Sequence, residues 1–171
     1  MSLDILFIHP NASGKIYQDL NKDHSAIEPP IWAGMLANRC RNKKYNVQVL
    51  DCEALRLDYR HSVNEIINFN PRIACFVVYG QQPSASSQNM EGAIGISKIL
   101  KKTKPEIKIL FVGGHVAALP TETLEKENSI DIIALNEGVY SISNLLEVEN
   151  LDDYTYLKKI KGIGFRDEEK K

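Results

Sequence analysis

Five short apolar runs separated by helix-like stretches constrain this chain more than any other feature. Asp4–His9 reads Asp-Ile-Leu-Phe-Ile-His and is stopped by Pro10. Asn46–Asp51 alternates through Val47, Val49 and Leu50, and Arg72–Tyr79 is almost continuously apolar from Ile73 to Val78. Ile107–Val112 ends at Gly113-Gly114, and Ile130–Leu135 ends before Asn136-Glu137-Gly138. Runs that are apolar at successive positions suit strands buried on both faces, which belong in a parallel sheet covered by helices on each side.

The intervening segments carry helical spacing. Pro30 suits a first turn, with Trp32, Met35, Leu36 and Cys40 following at helical intervals. Ser62-Val63-Asn64-Glu65 reads as a capping box ahead of Ile66, Ile67 and Phe69. Met90, Ala93, Ile94, Ser97 and Leu100 make one face of a longer helix that runs into Lys101 and Lys102. Pro120 starts a short helix, and Val139, Ile142, Leu145 and Leu146 mark the last. Five such units predict an α/β fold of flavodoxin-like type, a doubly wound parallel five-stranded sheet with helices on both faces. Two regions depart from it. Residues 10–29 show no periodicity and far exceed an ordinary βα connection. Ile160–Arg166 looks like a short extra C-terminal strand, at the edge of the sheet or opening a further unit.

Composition narrows the function classes. Lys and Arg number 21 against 22 Asp and Glu, a net charge of -1, so the basic excess of a phosphate-neutralising nucleic-acid binder is missing. No apolar run approaches a bilayer span, so no membrane is expected and a cytoplasmic location is. Cys40, Cys52 and Cys75 are odd in number and widely spaced, without a CxxC pair, and read as three reduced thiols rather than a metal site.

Ligands of open α/β sheets bind beyond the carboxyl ends of the strands. Those ends here are His9-Pro10-Asn11-Ala12-Ser13-Gly14, Tyr79-Gly80-Gln81-Gln82-Pro83-Ser84, Gly113-Gly114-His115 and Asn136-Glu137-Gly138. Glycine allows close approach of backbone to a large flat ligand, and amides and hydroxyls suit a ligand fringed with amides. The same glycines serve tight βα turns, and Glu137 serves a helix N-terminus, equally well. Ser84, Ser86 and Ser87 read as competing N-caps that also face the crevice. His9 ends the first strand as either a ligand to a metal or a structural residue; His115 is the better candidate for ligand contact, and His24 and His61 read as loop residues. Gly-x-Gly-x-x-Gly, the P-loop and Gly-x-Ser-x-Gly are all absent, and no nucleophile–base pair stands at a recognisable spacing.

Several segments together resemble one family. Glu28-Pro29-Pro30-Ile31-Trp32-Ala33-Gly34-Met35-Leu36-Ala37 is similar to the Pro-Pro stretch that opens the first helix in cobalamin-binding domains of radical S-adenosylmethionine enzymes. Tyr45–Asp51 resembles the strand that follows it. Val112–Leu124, with Gly113-Gly114-His115 and Pro120, is similar to that family's Gly-Gly-Pro-His-x-x-x-x-Pro signature. Ile130–Ile133 with Asn136-Glu137-Gly138 resembles its Gly-Glu-Gly close, and Ile160–Asp167 the strand that precedes the radical domain. The resemblance implies cobalamin as cofactor, held by residues 11–14, 80–84, 113–115, 137 and 138. It implies residues 1–150 as the cobalamin-binding domain and 151–171 as a tail leading into a radical S-adenosylmethionine domain, the partner that would carry the [4Fe-4S] cluster and S-adenosylmethionine. A methyl transfer to an unactivated carbon is the activity it suggests for the whole, with this chain not catalytic alone. The chain departs from the pattern in three places. His115 stands where the family usually has proline, Asp-x-His-x-x-Gly is missing around His9, and no Cys-x-x-x-Cys-x-x-Cys occurs. A flavodoxin-like small-ligand or partner-binding module without cobalamin is the alternative left open.

Overall fold

The chain folds around one six-stranded sheet with strand order β2-β1-β3-β4-β5-β6. The computed structural model describes residues 3–11, 29–80 and 83–167, with backbone alone at 83–85 and 88. The strands are β1 (Leu3–His9), β2 (Val47–Asp51), β3 (Pro71–Val77), β4 (Lys108–Val112), β5 (Ile132–Ala134) and β6 (Ile163–Phe165). The first five are parallel, and β6 runs antiparallel against β5. The helices are α1 (Ile31–Asn42), α2 (Tyr59–Phe69), α3 (Pro83–Thr103), α4 (Gly114–Ala118), α5 (Pro120–Lys126), α6 (Val139–Leu145) and α7 (Tyr154–Leu157).

Alternation along the strands divides the core between the two faces. Leu6, Ile8, Ala74, Phe76, Ile109 and Phe111 pack with α2 and α3 on one side. Ile5, Phe7, Ile73, Cys75, Leu110 and Val112 pack with α1 and α6 on the other. Phe7, Phe76 and Phe111 are fully buried, each stabilising the fold by roughly 1.5–3 kcal/mol through area removed from water. The doubly wound sheet expected from the apolar runs is therefore present, with helices on both faces.

Local expectations shift where packing overrides pattern. α1 buries Ala33, Leu36, Ala37 and Cys40, while Trp32 and Met35 stay 38% and 59% exposed. Two alanines let this helix lie close to the sheet, so its inward face is rotated from the one the larger apolar residues suggest. α2 starts earlier than the Ser62 box. Asp58 is its N-cap and accepts from His61 N at 2.8 Å, while Ser62 is buried one turn in and donates to Asp58 O. His61 is thus helical rather than in a loop. α3 begins at Pro83, a residue whose fixed φ and missing N–H suit a first turn.

The extra strand is an edge strand. β6 pairs with β5 (Ile133 opposite Gly164), and Tyr154 stacks on Phe165 with ring centroids 5.8 Å apart. The guanidinium of Arg166 donates to the carbonyls of Leu124, Glu127 and Ile130, closing the C-terminal end of α5.

Candidate functional site

Strand order reverses between β1 and β3, since β2 lies outside one and β4 outside the other. A crevice opens at such a point beyond the carboxyl ends. A cavity of about 170 Å³ sits there, lined by His9, Pro30, Trp32, Met35, Val77, Tyr79 and Gly80 among others.

His9 closes β1 and is 7% exposed. Its Nδ1 lies 3.1 Å from Asp51 Oδ1, so that nitrogen donates, because an ionised carboxylate only accepts. Its Nε2 lies 3.8 Å from Glu53 Oε2. Asp51 also accepts from Ala54 N at 3.0 Å. The imidazole is thus held by carboxylates at the β1–β2 edge. Asn11, just beyond, donates from Nδ2 to Leu57 O at 3.1 Å, tying the chain after β1 to the turn after β2.

At the end of β3, Tyr79 stacks on Trp32 with ring centroids 4.6 Å apart. Its hydroxyl donates to Asn136 O at 2.9 Å, and its own carbonyl accepts from Asn89 Nδ2 of α3. Burial, with a smaller contribution from the carboxylate of Glu137, pushes this phenol up to about 12. Tyr79 therefore spans from β3 to the turn after β5, passing the end of β4.

The end of β4 is stitched to α3 by two serines. Ser86, buried, donates to Val78 O and accepts from His115 N at 3.0 Å. Ser87 Oγ and His115 Nδ1 share a hydrogen bond of 3.0 Å. Neither serine is an N-cap, because α3 starts at Pro83. Gly113 is required by its neighbours, since an added Cβ would collide with the carbonyl oxygen of Val78. Gly114 is exposed, and a Cβ added there would lie 3.5 Å from Ser86 Oγ. Gly138 is the N-cap of α6 at φ +73°, and a Cβ there would meet Ile142 and Val112 at 2.9 Å; Glu137 before it is exposed.

The structure thus gathers Gly80, Gly113, Gly114, His115, Glu137 and Gly138 along one edge. Ala12, Ser13, Gly14, His24, Gln81 and Gln82 lie outside the described residues, and of Pro83 and Ser84 only the backbone is described. Sequence reasoning missed Trp32 as a site residue, because it sits among helical apolar positions and reads as core. Tyr79 reads from the sequence as part of a strand end, without its ring stacking or its bond to Asn136. Ser86 and Ser87 read from the sequence as caps facing the crevice, not as partners of Val78 and His115. Among the described residues, no three His, Cys, Asp or Glu side chains are placed to hold a metal ion, and no helix is long and apolar enough to cross a membrane.

A doubly wound sheet with glycine-bearing turns after β3, β4 and β5, in which residues 78–80, 113–115 and 135–138 include no lysine or arginine, defines an open α/β domain of the kind that binds a ligand beyond its strand ends. The sequence profile of the B12 binding domain matches residues 22–146, and the chain belongs to that family, a cobalamin-binding domain. An uncharacterized methyltransferase of Pyrococcus horikoshii is 25% identical over 139 residues, covering 81% of this chain and 28% of that protein. TsrM of Kitasatospora setae, a radical S-adenosylmethionine methyltransferase solved with tryptophan and an S-adenosylmethionine analogue, superposes with a TM-score of 0.69 at 16% identity. That match covers 96% of this chain and 29% of TsrM. OxsB, a cobalamin-dependent S-adenosylmethionine radical enzyme solved with aqua-cobalamin, gives a TM-score of 0.65 at 15% identity, covering 99% of this chain and 21% of OxsB. The chain thus spans under a third of the length of each of these proteins.

The edge residues fit cobalamin by their chemistry. Residues 78–84, 113–115 and 135–138 include no lysine or arginine and offer backbone amides, amide side chains, hydroxyls, an imidazole and the one carboxylate of Glu137. Such groups pair with the neutral amides around a corrin, whereas a phosphate ligand would call for cations. The cavity itself is too small for a macrocycle, so a corrin would lie along the edge.

Proposed function

We propose that this chain is the cobalamin-holding part of a cobalamin-dependent radical S-adenosylmethionine enzyme of the methyltransferase type. The observation that carries the reading is the family match over residues 22–146, which spans the glycine-bearing turns that follow β3, β4 and β5. Gly80 to Ser84, Gly113 to His115 and Glu137-Gly138 hold the corrin amides, and residues 11–14 help enclose it. Cobalamin supplies a cobalt centre able to carry a methyl group. The protein's part is to bind and orient the cofactor, and to keep the carboxylates of Asp51 and Glu53 on the side of His9. Glu53 and Asp51 are already engaged with His9. The [4Fe-4S] cluster and S-adenosylmethionine belong to a radical domain packed on this one, and the greater length of the similar proteins supports such a partner. A cytoplasmic location accords with three free thiols.

Titration of the purified chain with hydroxocobalamin tests the reading. The expected result is a shift of the corrin absorption bands and co-elution of corrin with protein on gel filtration. Unchanged bands together with complete separation on the column would overturn it.

A further inference from the structure

The turn from β5 into α6 is held more firmly than an ordinary βα connection. Two of its residues are left-handed, Asn136 at φ +55° and Gly138 at φ +73°, with exposed Glu137 between them. Glycine takes that conformation freely. Asparagine, with its Cβ, takes it at some cost and stays there where its surroundings hold it. Two hydrogen bonds from separate parts of the chain supply that hold. Leu135 N donates to Gly162 O, the residue before β6, at 2.8 Å. Asn136 O accepts from the Tyr79 hydroxyl at 2.9 Å. An N–H and a carbonyl on consecutive residues are thus fixed immediately before Glu137 and Gly138.

Each holding group is itself set in place. The Tyr79 ring stacks on Trp32 and its carbonyl accepts from Asn89 Nδ2 at 2.9 Å, so the hydroxyl is aimed from two sides. Gly162 has φ +79° and sits against α6, where an added Cβ would lie 3.7 Å from Ser141 Cβ. Behind it, β6 is anchored by its pairing with β5, by the Tyr154–Phe165 stack and by Arg166. The Tyr79 hydroxyl and the Gly162 carbonyl are committed to the turn, so they act on a ligand through it.

We infer that Tyr79 and Gly162 are positioning residues for the turn 135–138, and that through Gly162 the edge strand β6 is coupled to binding at the cofactor edge. The hold on the turn rests on the two hydrogen bonds. Its effect on a ligand rests on the cobalamin reading, in which Glu137 and Gly138 meet the corrin. Such coupling is reciprocal, so a ligand seated against the turn also tightens β6.

Tyr79→Phe keeps the ring and removes only the hydroxyl, while Gly162→Ala puts a side chain at a left-handed φ. Ser97→Ala is the control. It breaks a buried bond to Ser129 at 2.9 Å, at the amino-terminal end of β5 and away from the turn. In ligand-free protein, both turn variants should shift the Asn136, Glu137 and Gly138 amides and speed their exchange, and Ser97→Ala should not. Each turn variant should weaken hydroxocobalamin binding about three- to tenfold, read from the corrin absorption bands. The double variant should weaken it by far less than the product, because losing either bond already frees the turn. Hydroxocobalamin should also slow amide exchange along β6 in the unaltered chain. The inference is overturned if either turn variant binds hydroxocobalamin as the unaltered chain does. It is overturned too if Ser97→Ala weakens binding equally, which would mark a general loss of stability. Corrin bands unmoved by the unaltered chain would overturn the cobalamin reading instead. The ligand-free turn amides then decide by themselves whether Tyr79 and Gly162 hold the turn.

Discussion

Ser86 is bonded to both Val78 and His115: its hydroxyl donates to the Val78 carbonyl and accepts from the His115 amide at 3.0 Å, joining the ends of β3 and β4 through α3. The residue is 2% exposed, so no water replaces those bonds when the hydroxyl is removed. Ser86→Ala leaves a buried carbonyl and a partly buried amide without this partner. It should lower unfolding stability by about 1–3 kcal/mol, measured as a urea midpoint. Ser87→Ala, at an exposed position, should leave the midpoint nearly unchanged and alter only the His115 side-chain resonances.

Three glycines should respond in different ways. Gly34 is on the exposed side of α1 with nothing within 4 Å of an added Cβ, so Gly34→Ala should stabilise the chain by about 0.5–1 kcal/mol. Gly138 has φ +73° and close neighbours, and Gly138→Ala should cost about 1–3 kcal/mol. Gly113→Ala should be the worst of the three, because its Cβ would collide with backbone at Val78 rather than with a side chain that can turn away. Thermal unfolding of the three variants checks the order.

Periodicity revealed the sheet because strands buried on both faces leave uninterrupted apolar runs, as in Ile73–Val78. It misplaced the face of α1, because Ala33 and Ala37 pack inward and carry little apolar signal, while the larger Trp32 and Met35 point elsewhere. It also misplaced the start of α2, since Asp58 and Ser62 are both good capping residues and only the folded backbone decides between them. At the site, the glycines stood out by their place at the strand ends. The Tyr79–Asn136 and Ser86–His115 bonds did not, because each joins residues brought together only by the parallel crossover.

The three thiols should be inert in the native chain. Burial pushes Cys40 and Cys52 up to about 11 and Cys75 well above its ordinary value. Thiolate, the reacting form, is therefore scarce at about pH 8. A chromogenic disulfide reagent should label none of the three at that pH until denaturant is added, and then all of them. Rapid labelling of any one under native conditions would contradict the burial.

Tyr79 should make stability fall at high pH. Its folded value, about 12, lies above the ordinary 10.0, so the protonated phenol is favoured by folding. That contribution is fully present below pH 10.0 and is lost as pH rises toward about 12, where the hydroxyl can no longer donate to Asn136 O. Tyr79→Phe should lower stability by about 0.5–1.5 kcal/mol at neutral pH. It should also remove one late step from the tyrosinate absorbance titration and flatten the alkaline loss of stability.

Arg166 tests whether the last strand is integral to the domain. Its guanidinium donates to Leu124 O from Nε at 3.0 Å and from Nη2 at 2.8 Å, to Glu127 O at 2.6 Å and to Ile130 O at 2.6 Å. These are carbonyls at and just past the end of α5, where unpaired oxygens and the helix dipole favour a cation. A planar fork reaches all three residues at once, and the single ammonium of lysine does not. Arg166→Ala should therefore cost about 2–4 kcal/mol, with Arg166→Lys recovering only a minor part. Amide exchange should localise the loss to α5 and the β5–β6 pairing, leaving the β1–β3 centre protected. Uniform loss of protection across all strands would instead show that β6 is part of the cooperative core.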